Sequence, residues 1–308
     1  MGVGHGHGHG HAASRASDRA RLRWVLAVTG SILVVEVVGA WITGSLALLA
    51  DAGHMATDAG AVVLALGASY VASRPGGARS TFGYHRVEVV AALVNAVVLL
   101  GVCGYLAWSG IGRLSDAPEV DGAALVGFAA VGLVANLVSF LVLSRGDSSS
   151  LNLRGALNEV MADLLGSALA IAAGIAIWVA GWHWADPVAS LLIAVMILPR
   201  AALLIRDSGR VLLEMAPADL DLDLVVHHLS HAPGVLGVHD LHAWTITSGM
   251  TSLSAHVTVT DEALEQRGVG AILDALDECV ATHFGVRHTT FQVEPASHEA
   301  HEDLGEIH

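Results

Sequence analysis

The stretch VVAALVNAVVLLGVCGYLAWSGIG, Val89 to Gly112, contains no charged residue. Coiled as a helix rising 1.5 Å per residue, it is long enough to cross roughly 30 Å of hydrocarbon. Gly122 to Ser144 and Leu164 to Ala185 are equally free of charge. Trp24 to Thr43 and Leu46 to Ala72 qualify as spans once Glu36, Asp51 and Asp58 are admitted inside them, and Pro187 to Ile205 makes a sixth with proline at its start. Six such segments within about 180 residues leave no amphipathic helices to cover them in a soluble core. The reading is an all-α, six-helix transmembrane domain in a lipid bilayer.

Composition points the same way: 54% of the 308 residues are hydrophobic and 14% charged, with a mean hydropathy of +0.60. The net charge is −14 and all 15 basic residues are Arg, so no basic surface is available for nucleic acid. The two cysteines, Cys103 and Cys279, lie too far apart for a CxxC motif or a disulfide framework, and thiol chemistry is not expected. From Met1 to Arg206 there are 12 acidic residues and 12 Arg, whereas Asp207 to His308 holds 17 acidic residues and 3 Arg. Every Arg except Arg113 falls on one side of a six-span arrangement, which makes that side, with both termini, cytoplasmic. The first 23 residues lack the apolar core and cleavage site of a signal peptide.

Beyond Ile205 the pattern becomes that of a small soluble domain. Leu220 to Leu229 reads as a helix closed by Ala232-Pro233-Gly234, Val235 to Ile246 and Ser252 to Thr260 as strands joined at Ser248-Gly249, Val269 to Phe284 as a helix and Thr289 to Glu294 as a strand. The chain is thus read as a His-rich N-terminal tail (1–23), a transmembrane domain (24–206), a cytoplasmic α+β domain (207–296) and an acidic, His-bearing tail (297–308).

Two pairs of residues carry the chemistry. His54 and Asp58 stand four apart in the second span, and Glu159 and Asp163 four apart at the start of the fifth. Positions i and i+4 share a helix face, so two facing helices supply one imidazole and three carboxylates, a set suited to a tetrahedral divalent cation. An ionisable side chain costs about 2.5–3.5 kcal/mol at the centre of a membrane helix, so a cation pathway explains this cluster better than helix-to-helix bonding does. Asp51, one turn from His54, is placed between a cavity-lining and a structural role; Glu36, Asn95 and Asn136 are read as structural. His5, His7, His9 and His11 alternate with glycine, a flexible array able to hold divalent metal weakly. His239, His242 and His256 fall in predicted strands, with Gln292 and Glu294 in the last one, and offer a second metal site.

In order along the chain, SLALLADAGHMATDAG (Ser45–Gly60), TFGYHRVEVVAALVNA (Thr81–Ala96), SLNLRGALNEVMADLLGS (Ser150–Ser167), WADP (Trp184–Pro187) and GVHDLHAW (Gly237–Trp244) resemble the signatures of the cation diffusion facilitator family. The resemblance runs from about Trp24 to Pro295. It implies a homodimeric, proton-coupled exporter of zinc and related divalent metals in the cell membrane, with a cytoplasmic domain of ferredoxin-like, metallochaperone type. It also implies that His54, Asp58, Glu159 and Asp163 form the transport site, and that His239, His256 and Glu294 bind a regulatory metal. The chain departs from the family pattern at Glu159, where zinc-selective members resemble HxxxD, and at Gln292 and Glu294, which stand where histidine and aspartate are expected. Zinc is the expected cargo, with cadmium, cobalt, iron and manganese as further candidates. Two other classes compete. A membrane metalloenzyme lacks an HExxH pair and, with four protein ligands, an open coordination position; a metal sensor or buffer would bind without moving its ion.

Overall fold

The computed structural model describes residues 8–74, 77, 80–145 and 151–297, with side chains from Trp24 onward apart from 25–26 and 151–154. His5, His7, the side chains of His9 and His11, and the acidic tail beyond Ser297 lie outside the described residues. The chain divides into two compact units, Met1–Leu64 with Val94–Leu204 and Ala65–Leu93 with Ile205–His308.

The first part of the chain is helical throughout: α1 (Gly8–Thr43), α2 (Leu46–Ala72), α3 (Val87–Ser115), α4 (Gly122–Leu143), α5 (Leu151–Ala180) and α6 (Ala185–Leu212). Among the described residues five helices are long and apolar enough to cross a membrane, from α2 to α6; in α1 the described apolar run is Ala27–Thr43. Large apolar side chains on these helices point outward, among them Trp41, Trp108, Trp178 and Val179. Such a surface is stable against lipid and unstable against water. Trp41, Trp108 and Trp178 stand near the C-terminal ends of α1, α3 and α5, and Trp182 and Trp184 stack at 5.5 Å in the link to α6. Tryptophans near span ends suit the water–lipid boundary. Arg113 Nη1 donates to the carbonyl of Gly44 at 2.8 Å, satisfying the charge that the sequence left alone.

The fifth span differs from its predicted limits of Leu164 to Ala185. α5 begins at Leu151, because its polar first turns still follow a helical face. It stops at Ala180, where Gly181 takes φ 66 and its N–H bonds Ile177 at 2.9 Å. The WADP motif acquires a structural reason. Asp186, fully buried in the first turn of α6, accepts from the Ser45 hydroxyl and from the backbone N–H groups of Leu46 and Ala47, at 2.7 and 3.1 Å for the two amides. One carboxylate thereby caps α2 and fastens it to α6. Asp186→Ala is expected to lower the stability of the detergent-solubilised protein by about 2 kcal/mol or more, since a cap is lost and buried donors are orphaned. A thermal unfolding midpoint equal to that of the parent would contradict this.

The C-terminal part comprises α7 (Leu222–Ser230), β1 (Val235–Thr247), β2 (Met250–Val259), α8 (Asp261–Phe284) and β3 (His288–Pro295). β2 is central, antiparallel to β1 and parallel to β3. Leu253, Ala255, Val257 and Val259 alternate onto one face and pack under Val225, Leu229, Ile272, Leu276 and Val280 of the two helices. α8 starts at Asp261, well before the predicted Val269: Thr260 accepts from the Ala263 N–H at 3.1 Å as an N-cap, and Gly268, at φ 75 and ψ 154, interrupts the helix where the sequence pattern begins.

Candidate metal centre

α2 and α5 bring His54, Asp58 and Asp163 together around one imidazole nitrogen. His54 Nε2 lies 3.5 Å from Asp58 Oδ2 and 4.0 Å from Asp163 Oδ1. A tetrahedral zinc ion with bonds of 2.0–2.2 Å holds its nitrogen and oxygen ligands about 3.4 Å apart, and each carboxylate stands near that distance from the imidazole. His54 and Asp163 are each 4% exposed. Among buried atoms, His54 Nδ1, Asp58 Oδ1 and Asp163 Oδ1 have no hydrogen-bond partner. Of these, Asp163 Oδ1 faces His54 Nε2; an unsatisfied buried acceptor there is costly, and a cation between the two removes that cost.

Glu159, the fourth residue expected here, sits differently. It is held by Arg200 of α6, whose Nη2 donates to Glu159 Oε1 at 2.6 Å while Nη1 donates to Asp58 Oδ2 at 3.0 Å. A guanidinium therefore bridges one carboxylate from α2 and one from α5. The sequence count of three carboxylates against a neutral His54 gives −3; Arg200 makes the site −2 when empty. Arg200 was passed over because it was read as one more cytoplasmic charge. Its signal was legible: a lone cation inside the apolar run of α6, directly after the helix-interior Pro199, must find an anion or pay for its burial.

The site opens on a cavity of about 340 Å³ lined by Asp51, His54, Asn158, Glu159, Met196 and Arg200, among others. Asp51 is thus a cavity residue, and Ser167 donates to its Oδ2 at 3.3 Å. Two glycines exist to admit carboxylates. A Cβ at Gly166 would lie 2.5 Å from Asp51 Oδ1, and one at Gly132 2.6 Å from Glu36 Oε1. Glu36 and Asn136 are fully buried with no hydrogen-bond partner for their side-chain polar atoms.

On the open face of the sheet a second cluster forms. His239, His256 and Glu294 present ligand atoms all within 4.8 Å of one another; His256 Nδ1 is 2.9 Å and His239 Nε2 3.6 Å from the Glu294 carboxylate. Gln292 turns its amide to Glu294 Oε1 at 2.6 Å and so acts on the carboxylate. The sequence reading missed Asp240. β1 and β2 pair His239 with His256 and His242 with Ser254, which leaves one extra residue in β1, and Asp240 takes up that bulge at φ 49. Its carboxylate then lies 3.6 Å from His256 Nε2 and 3.1 Å from His242 Nε2, on the face that strict alternation would deny it.

Comparison with known proteins sets these clusters in context. Residues 22–213 match the family described as "Cation efflux transmembrane domain" and residues 217–296 the one described as "Cation efflux protein, cytoplasmic domain". The metal cation efflux system protein CzcD of Cupriavidus metallidurans is 42% identical over 96% of this chain and 91% of its own length. Zinc transporter ZitB of Escherichia coli is 38% identical, covering 89% and 87%. A protein named cadmium, cobalt and zinc/H(+)-K(+) antiporter, from Bacillus subtilis, is 35% identical, covering 92% and 91%.

Proposed function

The chain belongs to the cation diffusion facilitator family of cation efflux proteins, and on that premise we propose that it exports divalent metal, zinc foremost, from the cytoplasm in exchange for protons. It does so as a multi-pass protein with both termini cytoplasmic, residues 24–206 forming the membrane domain and 207–296 the cytoplasmic one. α1 serves as the sixth span: the run from Trp24 to Thr43 reaches about 30 Å as a helix. One observation carries the reading. A buried imidazole has one carboxylate from each of two membrane helices within 4.0 Å, with a guanidinium beside them.

The transport cycle follows from that arrangement. In the empty site Arg200 neutralises Asp58 and Glu159. An arriving divalent ion takes His54, Asp58 and Asp163, competes with the guanidinium for Asp58 and recruits Glu159 as it leaves Arg200. On the opposite side protons compete for the same carboxylates and imidazole, and the ion is released. Three oxygens and one nitrogen form a harder set than two of each, so the site also admits manganese, iron and cobalt, while the His54 imidazole keeps cadmium among its ions.

The C-terminal domains of two copies pair in a homodimer. Their acidic surfaces repel, and metal held by His239, His256 and Glu294 relieves that repulsion. Proteoliposomes enclosing a zinc-sensitive dye provide the test of transport. Zinc accumulation well above that of protein-free vesicles is expected; accumulation equal to theirs, with zinc binding retained in detergent, would replace transport by a sensor or buffer function.

A further inference from the structure

A third cluster lies on the opposite layer of the C-terminal domain from His239, His256 and Glu294. His228 of α7 and Cys279 and His283 of α8 present ligand atoms all within 4.8 Å of one another. Cys279 and His283 are i and i+4 on one helix face, and His228 approaches from the neighbouring helix, its ring centroid 4.7 Å from that of His283. The rings are already oriented. His283 Nδ1 lies 2.9 Å from the backbone carbonyl of Cys279, so Nδ1 donates there and Nε2 is left as the free lone pair; His228 packs edge-on against Phe284 at 5.3 Å. A carbonyl behind a histidine that fixes its tautomer is the usual support of a metal ligand. A second imidazole pair, His227 of α7 and His231 just past its end, lies tilted with ring centroids 4.2 Å apart.

We propose that His228, Cys279 and His283 form a separate metal site for a thiophilic divalent ion, namely zinc, cadmium or cobalt(II). Two imidazoles and a thiolate make a softer set than the three carboxylates and one imidazole in the membrane, and exclude manganese and magnesium. Three protein ligands leave the fourth position to water, which marks an exchangeable site and not a closed structural one. None of the three residues is fully buried, so ions reach the site from solvent. Burial pushes the Cys279 thiol above its ordinary value, and a bound ion displaces its proton to solvent as the thiolate–metal bond forms. The inference stands apart from transport, because it would hold for a chain that binds metal and moves none. It gives the domain a reading of which metal is present, independent of what the membrane site admits.

Cobalt(II) titrated into the full-length protein in detergent tests the assignment, since thiolate ligation produces a sulfur-to-cobalt charge-transfer band in the near ultraviolet. The band is expected to saturate with cobalt and to be bleached by zinc. It should persist in Cys103→Ser and in the His239→Ala/His256→Ala double variant, be lost in Cys279→Ser, and be weakened in His228→Gln and His283→Gln. Cys279→Ser is close to isosteric, and an unchanged elution profile verifies that it folds. Absence of the band from the parent protein, or its survival in Cys279→Ser, would overturn the site.

Discussion

Asp163→Ala is expected to reduce zinc flux at least about 100-fold, because even an outer-sphere partner of a metal ligand is worth 10–100-fold and Asp163 is placed as a ligand itself. The protein should remain folded. The carboxylate is buried beside His54 with an oxygen that has no hydrogen-bond partner, so its removal relieves a desolvation cost. Asp58→Ala should abolish flux as well, but it also removes one of the two anions that Arg200 holds, so Asp58→Asn is the variant that keeps the shape. Size-exclusion elution establishes folding and vesicle uptake establishes flux. Near-parental flux in Asp163→Ala would remove α5 from the transport site.

The second large effect belongs to Glu159→His. It exchanges an oxygen ligand for a nitrogen one and leaves Arg200 bound to Asp58 alone. Two imidazoles and two carboxylates favour zinc and cadmium over oxygen-preferring ions. Manganese uptake is expected to fall about tenfold relative to zinc, a change of 1.4 kcal/mol in discrimination. Identical metal ranking in parent and variant would place Glu159 outside the coordination sphere, as a partner of Arg200 only.

Most of the membrane helices were legible because lipid tolerates almost no charge, and the charge-free runs of α3 and α4 mark their bodies directly. α5 was misread at both ends for the same reason. Its helix begins at Leu151, ahead of Glu159 and Asp163 and of the charge-free run, and its end depends on a left-handed glycine followed by tryptophans that look like more span. Four of the site residues were visible as i, i+4 pairs, since that spacing is a property of one helix. Arg200 was legible only as a lone cation in an apolar run, because pairing it with Asp58 and Glu159 requires knowing that α6 lies beside α2 and α5. Asp240 was hidden by a bulge that breaks the two-residue period on which strand reading rests. Cys279 and His283 carried a local signal, but His228 joins them only through the contact between α7 and α8.

The central claim is that metal and protons compete for one set of groups in the membrane domain, so that each moves against the other. The direct measurement records zinc uptake and luminal pH in the same proteoliposomes, with the lumen initially acidic. Zinc is expected to enter while the lumen loses protons, both signals should vanish together in Asp163→Ala, and collapsing the pH gradient should slow uptake. Zinc entry that proceeds at the same rate without the gradient, or with no accompanying change in luminal pH, would contradict it.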